Sequence, residues 1–272
     1  MARNIRIIYD NLADLATLSA PSAVASLGAA NLKTDIKSQV CRSSGKTLVI
    51  TATWATSQSV SGVALPFCNL SSSATMRVQL SNDGSTFFYD SQAFIPCPAG
   101  SYPANQKTGV NSFAYGGARC ATHWLTTKQS CKMVVITLTE NDASTPYIEV
   151  GRLVIGDYWE PKDNAEQGAT FTMADTAKQY RTEAGDLLTD AGVRYRKQTL
   201  SLPSLNLADR AKLWDILWGN GLKTPLFLST HPQNENTRLE HSHQMYCKLV
   251  ATPVMTTTYF NYNSSSVDVE EI

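Results

Sequence analysis

The sequence predicts a mainly β protein in two units, a β-sandwich followed by an antiparallel β-domain that carries one helix. Three observations predict it. Residues 69–90 set an alternating strand, an Asp-Gly turn and an aromatic return strand in immediate succession. Residues 47–54, 59–65 and 132–138 are alternating or continuously apolar runs rich in β-branched side chains, which suit a pleated, half-buried surface. One stretch, 207–218, has helical rather than strand periodicity, and it lies beyond a polar boundary containing Pro161 and Gly168.

In the first unit, Thr75, Arg77 and Gln79 fall on one face of a strand while Met76, Val78 and Leu80 fall on the other, so one side faces a core. Asp83-Gly84 supplies the turn, because a tight hairpin needs positive φ and glycine has no Cβ to clash there. Residues 47–54 and 59–65 read as paired core strands around a turn at Thr56-Ser57-Gln58, and 132–138 as a central strand. Ile148 and Val150 share one parity and Leu153 and Ile155 the other, which predicts a β-bulge across Gly151-Arg152. Residues 95–129, with Pro96, Pro98 and Gly100 before Tyr102 and Pro103, Gly109, Gly116 and Gly117 after it, read as a long excursion outside the core.

Residues 160–175 form the boundary between domains 1–162 and 163–272. A strand over 193–202 follows Asp190-Ala191-Gly192 and ends at Pro203. Asn206 is an N-cap with Asp209 three residues on, opening the helix at about 207–218, and Gly219 and Gly221 close it. Leu207, Ala211, Trp214 and Trp218 form one stripe, so this aromatic face is expected to pack on a sheet with Trp214 in the core. Strands are expected near 226–229, 245–250, 256–262 and 266–270. Arg194 and Arg196 share a strand face and are expected to meet solvent or a neighbouring subunit.

Composition limits the function. Lys+Arg and Asp+Glu are equal at 23 each, so the basic excess that neutralises phosphates is missing and no nucleic-acid partner is expected. Charged residues make up 17%, a low share that suits either a surface covered by neighbouring subunits or a Ser/Thr-rich soluble sandwich. The first ten residues lack a secretory apolar core and no run has the length of a membrane span, so synthesis in a cytoplasm without membrane insertion is expected. In that compartment the six cysteines, none in a CxxC pair, are expected to be free thiols.

Candidate chemistry is sparse. Gly45-Lys46-Thr47 resembles the end of a phosphate-binding loop, but Val40 stands where the earlier glycine is needed, and a strand follows. His231, His241, His243 and Cys247 could ligate a metal, yet they sit in a polar run that reads as a solvated hairpin loop; no metal or cofactor is expected. No Gly-x-Ser-x-Gly elbow is present and histidines number four, so no enzyme is expected. Phe94, Tyr102, Phe113, Tyr115 and Trp124 could stack on sugar rings or on a neighbouring subunit, while Trp54, mid-strand, is expected in the core.

The run NLSSSATMRVQLSNDGSTFFYD at 69–90 resembles the central hairpin of discoidin-type, galactose-binding-like β-sandwiches with a jelly-roll fold. More narrowly, it resembles the N-terminal domain of tail-tip structural proteins of long-tailed bacteriophages. NIRIIYDNLADLATL at 4–18, Ala30-Asn31-Leu32, Arg42-Ser43, TLVITATWATSQSVSGVAL at 47–65, YIEVGRLVIGDYWEP at 147–161 and VRYRKQTLSL at 193–202 extend the resemblance over most of the chain. Phe67 and Cys68 stand where that pattern often carries Arg-His. The resemblance implies a non-enzymatic component of a tail tip or baseplate located in the virion, with other tail proteins and copies of itself in a ring as partners. The second domain would attach it, through contacts including Arg194 and Arg196. The alternative is a receptor-recognition module that binds a host surface glycan through Tyr102, Phe113, Tyr115 and Trp124.

Overall fold

The computed structural model describes residues 4–101, 119–165, 169–190, 192–259 and 262–272. The chain forms two compact units, one of Met1–Glu160 with Phe227–Gln244 and one of Pro161–Leu226 with Met245–Ile272. Both are built of antiparallel sheets, the expected mainly β class.

The first unit is organised around two long antiparallel strands, Thr47–Cys68 and Arg119–Thr139. The sheet runs Cys41–Arg42, Glu149–Val150, Thr47–Cys68, Arg119–Thr139, Thr75–Ser81, Phe87–Asp90, with Thr17–Ser19 and Val154–Gly156 also paired to Thr47–Cys68. The ladder between the long strands shifts register between Thr53 and Gln58, Val60 and Gly62, and Leu65 and Cys68. Each shift bends the sheet, because an unpaired residue increases local twist. Leu48, Ile50 and Ala52 from one half of the bent ladder and Val63, Leu65, Ala121 and Leu125 from the other join one apolar cluster with Met76, Val78 and Leu80. The curled sheet therefore closes on a single core in the layered arrangement expected of a galactose-binding-like sandwich.

The hairpin forms as its sequence predicts. Gln79 faces Asp90 and Leu80 faces Tyr89 across the ladder, and Gly84 has φ +79° in the exposed turn. The Asp83 carboxylate accepts from the backbone N–H of Thr86 at 2.8 Å and Ser85 at 2.9 Å. These bonds to the charged form lower its pKa.

Elsewhere the structure corrects the expectation. Thr56-Ser57-Gln58 is no turn: it is the first bulge within one continuous 22-residue strand, since no residue there favours the positive φ of a tight reversal. The excursion over 95–129 is shorter than expected, because Arg119 onward belongs to a 21-residue strand. At Gly151-Arg152 the parity change marks a break between the strands Glu149–Val150 and Val154–Gly156 rather than a bulge within one. Arg152, buried, leaves the ladder to bind both Asp14 carboxylate oxygens at 2.7 Å and the Leu32 carbonyl at 3.0 Å.

Arg6–Ile8 is paired between Tyr158–Trp159 and Leu226–Ser229, with Ile7 opposite both Trp159 and Leu228. This pairing draws Phe227–Gln244 into the first unit, so the two units are not the contiguous 1–162 and 163–272. Gly62 and Gly156 are register partners, and a Cβ on Gly62 would lie 2.8 Å from the Trp124 ring and one on Gly156 2.8 Å from the Ile8 side chain. Two adjacent positions without side chains thus let these large groups settle on the sheet.

The second unit has the strand order Gln244–Leu249, Tyr262–Glu271, Arg194–Leu205, Thr170–Asp175, with Met255–Tyr259 also paired to Tyr262–Glu271. Thr170–Asp175, expected as boundary, is an edge strand in register with Arg194–Thr199. Lys178–Arg181 and Leu187–Asp190 form a separate two-stranded hairpin.

The longest helix among the described residues, Leu207–Asn220, starts where expected, with Asn206 Oδ1 accepting from the Asp209 N–H at 2.9 Å. Its orientation corrects the expectation. Leu213, Ile216 and Asn220 are buried, whereas Trp214 is 54% and Trp218 81% exposed. The sequence offers two stripes on nearly opposite faces of the helix, and only packing on the sheet selects the aliphatic one. The polar run before Gln244 also folds differently: Asn236 caps a short helix, Thr237–Ser242, that buries His241.

Candidate functional site

In the first unit, three aromatic rings from separate strand positions converge at the edge of the core. Tyr89 stands opposite Leu80, His123 opposite Val63, and Phe94 makes a two-bond bridge to Met76, with N–O distances of 2.8 and 3.0 Å. Between Tyr89 and Phe94 the chain is held by Ser91, whose hydroxyl accepts from the Val78 N–H at 2.8 Å, and by Gln92 at φ +55°. A non-glycine residue rarely takes that conformation, so the surrounding hydrogen bonds must hold it. Among them, the Gln92 N–H donates to the Asp90 carboxylate at 2.9 Å.

Tyr89 Oη and His123 Nε2 are 2.7 Å apart, and the Phe94 and His123 ring centroids 5.1 Å apart at 35°. All three side chains are half-buried. Burial pushes the His123 pKa down to about 4, because the imidazolium would lose its water, so the ring is neutral at neutral pH. Burial, with the Asp90 charge, raises the Tyr89 hydroxyl, which stays protonated. The cluster therefore offers aromatic faces and uncharged hydrogen-bonding groups. It has no ionised nucleophile.

The residues singled out from sequence do not assemble this site. Tyr102, Phe113 and Tyr115 lie outside the described residues. Trp124 is only 5% exposed, edge-on to Tyr158 at 5.4 Å with the Arg6 guanidinium 5.3 Å from its ring centroid. It presents no ring face for a sugar, because its strand parity turns it inward over Gly62. Trp54 is buried as expected and donates to the Leu12 carbonyl at 2.9 Å. Sequence reasoning named Phe94 but missed Tyr89 and His123. The aromatic alternation of Phe87–Asp90 was a signal for Tyr89; His123 had none.

The metal-ligand candidates are dispersed in role. His231 and His243 lie edge to face with centroids 5.1 Å apart, His241 is buried, and Cys247 belongs to the second unit. Among the described residues no group of three His, Cys, Asp or Glu side chains converges as for a metal. Lys46 of the Gly45-Lys46-Thr47 sequence donates to the Asp142 carbonyl at 2.7 Å, and Thr47 opens a strand.

The second unit exposes apolar side chains. Trp214 and Trp218, one helical turn apart, stack with centroids 6.3 Å apart at 22°. Leu207 and Leu222 are about half exposed, as are Tyr180, Leu187 and Leu188 of the hairpin. Arg194 is 71% exposed and pairs with Asp175 at 2.9 Å. Arg196 differs from the expectation: its side chain is 18% exposed and bound to Glu271 at 2.5 Å, because the strand Tyr262–Glu271 ends beside it.

No protein-family model and no curated protein sequence matches this chain. Solved structures do resemble it over about half its length. The lectin domain of Lectinolysin complexed with Lewis B antigen aligns with TM-score 0.37 and 12% identity over 54% of this chain and 95% of that one. Chitosan-binding module 1 derived from a chitosanase/glucanase of Paenibacillus sp. aligns with TM-score 0.37 and 18% identity over 54% and 99%. The family 32 carbohydrate-binding module from C. perfringens in complex with galactose aligns with TM-score 0.38 and 11% identity over 55% and 98%. These are likenesses of fold.

Proposed function

We propose that this chain is a non-enzymatic structural component of a bacteriophage tail tip, repeated around a symmetric ring and displaying a galactose-binding-like domain. The observation that supports it is the stacked, exposed Trp214–Trp218 pair on the helix of the second unit. A water-facing tryptophan pair leaves a large apolar area unburied, and such surface is characteristic of protein interfaces. The hairpin of Lys178–Arg181 and Leu187–Asp190 adds to this reading, since isolated two-stranded hairpins are marginal in water until something packs on them. A ring needs two different complementary surfaces on each copy, and an exposed helix face and an exposed hairpin can supply them. Locating the protein in a map of the intact particle is the test. Detection at the tail tip in several copies supports the reading, and absence from purified tails refutes it.

A second reading, glycan binding by the first unit, is favoured by the Tyr89–Phe94–His123 cluster. Apolar sugar faces stack on aromatic rings while hydroxyls bond to neutral polar groups. A glycan array with the full-length protein tests it. Binding lost on Phe94→Ala supports the reading, and an array without signal removes it.

A further inference from the structure

The three histidines between 231 and 243 play different parts, because the chain there folds as a loop and the short helix Thr237–Ser242 rather than as one strand. His241 is turned inward and buried, whereas His231 and His243 are partly exposed and their rings meet with centroids 5.1 Å apart at 78°. Both belong to the first unit, and the segment is tied where the rings sit. The Thr230 N–H donates to the His243 carbonyl at 3.3 Å, and the Thr230 hydroxyl lies 3.4 Å from the same oxygen. Farther along, the Gln233 N–H donates to the Glu240 carboxylate at 2.7 Å and braces the loop against the helix.

We infer that His231 and His243 form a two-histidine site for a divalent transition-metal ion of the zinc class, with water completing the coordination. An ion held by two imidazole nitrogens at about 2.0–2.1 Å, with a tetrahedral angle between them, keeps the ring centroids roughly 5 Å apart. The observed 5.1 Å meets that requirement. Rotation about the Cβ–Cγ bond, a soft torsion in histidine, turns the nitrogens of a ring and leaves its centroid nearly in place. Both rings can therefore address one ion without movement of the backbone, and their partial exposure lets the ion arrive from solvent.

The tautomer of His243 suits this role. Its Nδ1 lies 3.0 Å from the Leu239 carbonyl oxygen, which can only accept, and 2.8 Å from Ser242 Oγ, whose own hydrogen goes to that same carbonyl at 3.0 Å. Nδ1 therefore carries the proton, and Nε2 carries the lone pair that a metal needs. Metal-bound imidazoles commonly donate their other N–H to a carbonyl in this way, which fixes the ring and raises its basicity. Burial, together with the proximity of His243, lowers the His231 pKa, so His231 is also neutral at neutral pH. Neutral imidazole suits zinc, nickel and copper alike, and copper(II) binds most tightly of the three. The inference rests on neither reading of the function.

The test uses the full-length chain without a histidine tag, titrated with zinc chloride at neutral pH by isothermal titration calorimetry. The expected result is a single ion per chain, with affinity weakened by at least about tenfold in His231→Gln and equally in His243→Gln, as loss of a direct ligand requires. Proton competition should weaken binding further as pH falls through the imidazole range. A second measurement needs no variant: electron paramagnetic resonance of the copper(II) complex of the wild-type protein should show two coordinated imidazole nitrogens. No heat of binding up to millimolar zinc, an affinity unchanged in both variants, or a copper spectrum without coupling to nitrogen would overturn the inference.

Discussion

Tyr89 and His123, distant in sequence, share a 2.7 Å hydrogen bond between the phenol oxygen and Nε2 at the edge of the first unit's core. The burial of that imidazole makes stability depend on pH. Burial holds the folded His123 pKa at about 4 against an ordinary 6.5, and His241 is lowered to about 4 for the same reason. Between those values the unfolded chain binds more protons than the folded one, so stability is full above pH 6.5 and falls as pH drops toward about 4. Each histidine contributes a loss of up to about 3 kcal/mol across that window. Denaturant titrations across the window should show the loss, and His123→Gln with His241→Gln should reduce it relative to wild type.

Gly84→Val should destabilise the protein by on the order of 1 kcal/mol or more. The added Cβ meets Met133 Cε at 3.2 Å, and φ +79° is strained for a β-branched residue. An unchanged thermal midpoint would contradict the turn assignment.

Arg152→Ala should cost roughly 3 kcal/mol, the scale for breaking a buried ion pair. Its guanidinium joins Asp14, Asp35 and the Leu32 carbonyl, so one side chain ties two separate segments to the sandwich. Equilibrium unfolding in urea measures the cost.

Trp214→Ala, by contrast, should leave the thermal midpoint nearly unchanged, within about 0.5 kcal/mol, because the side chain faces water. On the assembly reading, Trp214→Ala together with Trp218→Ala should reduce incorporation into tails by about tenfold or more, as expected for aromatic interface anchors. Quantitative mass spectrometry of purified particles reads this, and normal copy number would remove the helix face from the interface.

Arg194 and Arg196 should separate. Arg194→Glu is expected to spare folding, since the residue is solvent-exposed, whereas Arg196→Glu places like charge against the largely buried Glu271 and should lower the thermal midpoint. Melting curves of the two single variants distinguish them.

The sequence alone determined the β class, the hairpin around Gly84 and the start of the helix at Asn206. Each is governed by interactions within a few residues: alternation of Met76, Val78 and Leu80, a positive-φ glycine, and a side chain capping an N–H three positions on. Only the tertiary structure decided the rest. Leu226–Ser229 pairs with Arg6–Ile8 across more than two hundred residues, a choice no local pattern records, and it moves Phe227–Gln244 into the first unit. The helix had two apolar stripes, and packing on its sheet selected Leu213 and Ile216 while leaving Trp214 and Trp218 outside. Trp124 carried no mark in its neighbours of the Gly62 floor that buries it, nor did His123 of the tyrosine that meets it. Local chemistry fixes elements, but a site is made by side chains that long-range register brings together, and register is set by the whole sheet.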